Sequence, residues 1–204
     1  MNKTKSLDCF NGYNYVDLGL PSGTLWATSV IKNKLGEPLY FSWGETEGWT
    51  AEQVQNGEKV FAWDGSDYKF GEYPHTKYNS EDGKTVLDLE DDAAHVHMGG
   101  DWHMPTKEQW EELIANTTST LTIKNGVKGR LFTSKKNGKS IFVPVFGRMH
   151  GSAFYLVGSY GYIWSSSVDE KYLFNAWGLD FSSSCLSVGN GYRSFGCCIL
   201  GVVG

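Results

Sequence analysis

Two Asn-Gly dipeptides, Asn125-Gly126 and Asn137-Gly138, punctuate the run LTIKNGVKGRLFTSKKNGKSIFVPVFG, Leu121 to Gly147. Asn-Gly adopts the positive backbone angles of tight hairpin turns, and the flanking Val, Ile, Leu, Phe and Thr suit pleated strands. The chain must therefore reverse twice within this run, which commits it to antiparallel strands. From Thr120 to the end the pattern predicts only strands and turns. Just upstream the period changes. Asp88 to Gly100, DLEDDAAHVHMGG, opens on acidic residues and ends in a Gly pair, as a helix with a satisfied dipole and C-cap would, which predicts a helix over 88–99. A second follows over 106–116, where Thr106 and Gln109 form a capping box and Trp110, Leu113 and Ile114 share one face. Residues 13–44 read as short strands joined by turns, and residues 45–85 as a long surface excursion. The order strands, helices, strands predicts an α+β class, with two helices flanking a twisted antiparallel sheet.

Length and composition narrow the function classes. At 204 residues the chain is long enough for one domain spanning 1–204. Its net charge of -5, with scattered Lys, lacks the basic stripe of a nucleic-acid binder, so no nucleic-acid partner is expected. No apolar run is long enough to insert in a membrane, and the N-terminus has no signal-peptide core; SLDC is a poor lipobox for the same reason. The expectation is synthesis in the cytoplasm without a signal peptide. Eight Trp is high for this size, and such rings are core residues or binding anchors.

Catalytic and metal patterns are weak. Cys9, Cys185, Cys197 and Cys198 fit no zinc or CxxC spacing and read as free thiols, and a vicinal Cys197–Cys198 disulfide would be strained. His95 and His97 cannot share a helix face, and His103 is nearer a loop. The acidic run Asp88, Glu90, Asp91 and Asp92 lacks the spacing of a calcium loop and reads as a solvated helix N-terminus. GNGYRSFG, Gly189 to Gly196, has the wrong glycine spacing for a dinucleotide, and no nucleophile elbow or phosphate loop is present. No metal, no cofactor and no catalytic residue are expected.

The C-terminal segment is written differently from the rest. From Gly178 onward there is no Lys, Glu, Gln, Met or Trp, although these types make up about a quarter of residues 1–177. Here VDLGLPSGTLWA (Val16 to Ala27), YFSWGET (Tyr40 to Thr46), GGDWHMPTKEQWEEL (Gly99 to Leu113) and GSYGYIWSSS (Gly158 to Ser167) matter together. They resemble, in order, the Fibrobacter-type major paralogous domain, a family of gut Bacteroidetes and their phages. That family is similar to the formylglycine-generating-enzyme branch of the C-type lectin fold. The resemblance runs from about residue 14 to the end and implies a C-type-lectin-like fold.

The resemblance also implies a function. The enzyme branch uses two cysteines a few residues apart near its C-terminus; here Cys185 and Cys197 are too distant and Cys197 and Cys198 adjacent. The terminal arginine motif is absent, with Ile199, Leu200, Gly201 and Val202 in its place. The Glu-Pro-Asn and Trp-Asn-Asp sugar motifs of calcium lectins are missing too. A binding protein that retains the fold without the chemistry is the expected reading. Members of the family are similar to variable proteins of diversity-generating retroelements, whose template adenines are randomised within AAY codons. Such codons can never yield Lys, Glu, Gln, Met or Trp, the five types missing here. The resemblance thus implies a variable region over 168–204, and the period-two pattern places Leu179, Phe181, Ser183, Leu186 and Val188 on a fixed buried face. The presented ligand-binding face then comprises Gly178, Asp180, Ser182, Ser184, Cys185, Ser187, Gly189, Gly191, Tyr192, Ser194, Phe195, Cys197 and Cys198, joined by Leu173 and Phe174. The expected partner is a cell-surface protein or glycan, the expected setting a phage tail, virion or other surface-displayed adhesin, with residues 1–12 as attachment. Two alternatives stand beside it: an enzyme related to the formylglycine-generating enzyme, and a structural surface or virion domain with no variable site.

Overall fold

The computed structural model describes residues 8–204. Strands β1 (Asp8–Phe10), β2 (Tyr13–Asp17) and β3 (Leu25–Ala27) form an antiparallel sheet near the start of the chain. Asn11 and Gly12 make the first turn at φ 48° and 82°, the positive values a two-residue hairpin requires. Of the 1–12 stretch expected to be an attachment, residues 8–12 are thus part of a hairpin, and residues 1–7 lie outside the described residues.

The excursion expected over 45–85 is not confined to the surface. It carries helix α1 (Ala51–Gln55), capped by Thr50 and Gln53, and it buries Val54, Phe61, Tyr68, Phe70 and Tyr78. Aromatic side chains without a period escape pattern reading, yet these rings pack edge to face, Trp43 on Tyr78 at 5.1 Å and Phe70 on Tyr78 at 5.4 Å.

The single helix expected over 88–99 is divided. A 3-10 turn at Leu89–Asp91 precedes α2 (Ala93–Met98). Asp92 breaks them apart: its backbone is extended, and its carboxylate accepts from His95 N–H at 3.0 Å and from Met104 N–H at 2.8 Å. Gly99 at φ 67° ends α2 as a C-cap glycine should. The acidic residues here are not all solvated either, since Asp91 and Asp92 are buried. Helix α3 (Lys107–Asn116) has the expected capping box and buries Trp110 and Leu113, with the Trp110 and Trp26 rings 4.8 Å apart.

After α3 the antiparallel meander β4 (Thr117–Lys124), β5 (Val127–Ser134) and β6 (Ser140–Pro144) turns at both Asn-Gly signals; Asn125 and Gly126 have φ 50° and 78°. A short hairpin, β7 (Arg148–His150) with β8 (Ala153–Tyr155), comes next. Then β9 (Gly161–Val168), β10 (Asn175–Phe181) and β11 (Leu186–Tyr192) form a sheet with β10 in the middle. Finally β12 (Val202–Val203) returns to pair with β3, opposing Val202 to Trp26. The result is an α+β architecture, mainly antiparallel β with three short helices among the described residues. It differs from the expectation in having several small sheets rather than one. No helix of the described residues is long and apolar enough to cross a membrane.

Candidate functional site

The expected binding face divides into two populations. Ser184, Cys185 and Ser187 are exposed around the β10–β11 turn, and Tyr192 at the end of β11 keeps 42% of its surface. Leu173, Phe174, Asp180, Gly189 and Gly191 are half-buried. Gly178, Ser182, Ser194, Phe195, Cys197 and Cys198 are buried, against expectation, while Ser183 is exposed although the alternation placed it inside.

Each correction has a physical cause. Strand β10 is central, so both of its edges are paired, and a Cβ on Gly178 would lie 2.6 Å from the Ile163 carbonyl oxygen. Ser182 builds the turn: its hydroxyl accepts from the N–H groups of Ser184 and Cys185, both at 3.2 Å. This turn leaves Ser183 facing water. Beyond Tyr192 the chain leaves the sheet and passes through the interior. Cys197 exchanges backbone hydrogen bonds with Phe41, both at 3.0 Å, and the Cys198 carbonyl accepts from Trp164 N–H at 3.1 Å. All four cysteines are free thiols, and burial raises the pKa of both Cys197 and Cys198. Phe195 packs under Arg148, whose guanidinium sits 4.5 Å above its ring.

Two of the expected residues, Phe174 and Tyr192, meet aromatic rings that sequence reasoning missed. The Phe174 ring lies 5.8 Å from Tyr73 at 90° and 5.7 Å from Tyr192 at 34°. Trp63 completes a basin of about 250 Å³ that Asp64, His75, Arg193 and Ser194 also line. Trp63 and Tyr73 expose 64% and 61% of their surface, although four of the other tryptophans are completely buried. The only signal for these rings was the unpatterned aromatic content of residues 45–85. His75 is buried, and that burial lowers its pKa. Its Nδ1 lies 2.8 Å from the Gly71 carbonyl, an acceptor, so Nδ1 carries the proton and donates.

Other polar clusters are already engaged. The carboxylates of Asp88, Glu90 and Asp91 converge closely enough to hold a cation, but Lys77 reaches all three, while Lys69 binds Asp91 and Lys84 binds Asp88. Burial pushes the Asp91 pKa up, but the hydrogen bonds from Lys69, Lys77 and Tyr78 outweigh it and the net shift is downward. His97 contacts the Thr46 carbonyl at 2.8 Å and His95 the Trp102 carbonyl at 3.2 Å, so the two histidines serve separate backbone sites. A cleft of about 370 Å³ between Lys107, Asp169 and Trp177 is polar, and Lys107 already covers the Trp177 ring at 4.3 Å.

Asp180 points to one measurable electrostatic effect. Burial raises its pKa to about 7, with Arg148 pulling the other way. The ordinary value is 3.8, so between pH 4 and 7 the unfolded chain loses this proton while the folded one keeps it. Folding stability should therefore fall as pH rises through that window and level off above it. Asp180→Asn should remove this part of the slope, raising the melting temperature relative to wild type at pH 8 and not at pH 4. Parallel melting curves for the two proteins across pH would contradict the assignment.

Comparison of the chain with protein-family models, with curated proteins and with solved structures finds no match in any of the three.

Proposed function

We propose that this protein is a ligand-binding display module of C-type-lectin-like fold, whose C-terminal region supplies a variable surface that recognises a receptor on a target cell. The observation that carries the reading is the ring cluster of exposed Tyr192, Trp63 and Tyr73 around half-buried Phe174, two rings of which lie in the proposed variable region. Large rings left in water at the edge of a pocket are the usual anchors of binding surfaces. The exposed turn at Ser183, Ser184 and Cys185, with Ser187 and Asn190 beyond it, gives the same region positions that tolerate substitution. The buried thiols of Cys197 and Cys198, with raised pKa values, favour a binding role over the related oxidase chemistry, because the thiolate is the reactive species. A phage tail or another displayed adhesin is the setting that suits such a module.

The test is retention of labelled protein on intact bacterial cells. Phe174→Ala combined with Tyr192→Ala should cut retention at least tenfold, while unfolding free energy changes by about 1 kcal/mol or less, since both rings are partly in solvent. Retention unchanged by the double substitution would remove the basin from the binding surface.

A further inference from the structure

We infer that this protein pairs with a second copy of itself along the free edge of β11, so that the two β9–β10–β11 sheets join into one. β11 has a single neighbour, β10. Two hydrogen bonds fix which of its residues face away from that neighbour: Ser182 N–H donates to the Cys185 carbonyl at 2.9 Å, and Arg193 N–H to the Phe174 carbonyl at 3.1 Å. Between these bonded pairs the register runs without a shift, so bonded and non-bonded pairs alternate, and Leu186, Val188 and Asn190 fall at non-bonded positions. Their N–H and C=O groups therefore point outward, and among the described residues nothing bonds them. The opposite edge of the same sheet is filled at the equivalent positions. There the outward N–H groups of Trp164, Ser166 and Val168 on β9 donate to the carbonyls of Cys198, Pro105 and Thr85 at 3.1, 2.9 and 2.9 Å.

An open edge is ordinarily protected by a charge, a proline or a covering segment, because it is a template for pairing with another chain. Of the other long edge strands, β4 carries Lys124, β6 carries Pro144 and β9 is covered. β11, LSVGNGY, has neither charge nor proline, and its residues are exposed or half-buried, so the row is open to solvent. Outward donors and acceptors at every second residue match the backbone of an extended strand. A second copy meets this requirement and, unlike a foreign strand, is present wherever the protein is. With a two-fold axis at Val188, antiparallel pairing sets Leu186 against Asn190 of the second copy and Val188 against its own counterpart, each pair exchanging two main-chain hydrogen bonds. Ser187 then meets Gly189 and Cys185 meets Gly191, so no charge faces another across the seam although the chain carries a net charge of -5. The same register places Ser184 of the second copy opposite Tyr192, so the β10–β11 turn of each copy stands at the end of the other's ring cluster.

Sedimentation of the full chain from micromolar to millimolar concentration should show a reversible monomer–dimer equilibrium. Val188→Pro removes only an outward N–H, a change that edge strands tolerate, and should weaken the dimer at least tenfold in folded protein. Val188→Cys supplies a second readout if that variant fails to fold. Facing bonded residues have Cα atoms about 5.5 Å apart, within disulfide reach, so mild oxidation of Val188→Cys in a Cys9→Ser, Cys185→Ser background should give a covalent dimer. In a Cys9→Ser background alone, native Cys185 should give none, because this register sets it roughly 20 Å along the seam from Cys185 of the second copy. A chain that stays monomeric throughout would overturn the inference and leave the edge to a strand of another protein. A dimer indifferent to Val188→Pro, or one linked by oxidation through Cys185 and not through position 188, would overturn it as well.

Discussion

Replacing Arg193 with Ala should destabilise the protein by about 3–5 kcal/mol, the largest effect expected of any single substitution on the C-terminal side of β11. The side chain is completely buried. Its Nη1 donates to the Lys77 carbonyl at 3.2 Å and Nη2 to the Tyr78 carbonyl, and the guanidinium lies 4.8 Å from the Trp43 ring. Its own backbone is held by Phe174 on one side and Trp43 on the other, at 3.1 and 2.8 Å. Truncation leaves two carbonyls without charged donors and opens a void beside Trp43; the relief of removing a buried charge offsets only part of this. Arg193→Lys should lose most of the same stability, because one ammonium cannot reproduce a planar fork spanning two carbonyls. Denaturant melts measure the loss directly. Limited proteolysis should show residues 63–78 cut first, since Arg193 is what holds that stretch against the C-terminal segment. A loss below 1 kcal/mol with unchanged proteolysis would show that the stretch is held by its own aromatic packing.

Gly178→Ala is expected to cost about 2–4 kcal/mol, although the sequence places Gly178 among the presented positions. The added methyl would enter the space of the Ile163 carbonyl oxygen at 2.6 Å, and a backbone atom in a paired strand cannot swing aside as a side chain can. Cys185→Ala and Ser187→Ala, a few residues on, should change stability by no more than about 0.5 kcal/mol. Thermal melts of the three variants side by side give the contrast. Equal tolerance at all three would mean that β9 and β10 yield locally, and the distinction between a rigid and a permissive half of the segment would fall. The contrast also constrains natural variation: a randomising process acting on 168–204 should leave survivors altered at 184, 185, 187, 190 and 192, and unaltered at 178, 197 and 198.

Local chemistry was legible in the sequence wherever it was sufficient. Thr106 and Gln109 cap α3 as their spacing requires, Asn125-Gly126 turns the chain at the expected place, and Leu179 and Phe181 point into the core. What could not be read depends on partners remote in sequence. Period two distinguishes an inner from an outer face only where a strand has one covered side, and it says nothing of Arg193 to Leu200, a stretch buried on all sides without being a strand of any sheet. The break at Asp92 depends on Met104, and the basin depends on bringing Trp63 and Tyr73 beside Phe174 and Tyr192. No window of sequence contains both halves of that arrangement. Half of the candidate site was therefore visible as residues, and its shape was visible only in three dimensions.

The pairing of β12 with β3 has a kinetic side. Val202 and Trp26 are separated by almost the whole chain, and Gln109 ties the same region again through the Gly204 carbonyl at 2.9 Å. Closing so long a loop returns little until Trp26, Trp102, Trp110 and the Ile199–Val202 stretch are all in place around it. The meander of β4, β5 and β6, joined by short turns, has no such wait and is suited to form early. The ring basin, which needs residues 63–75 and 174–194 together, belongs to the late-assembling part, so the chain acquires its recognition surface only as the last long-range contacts close.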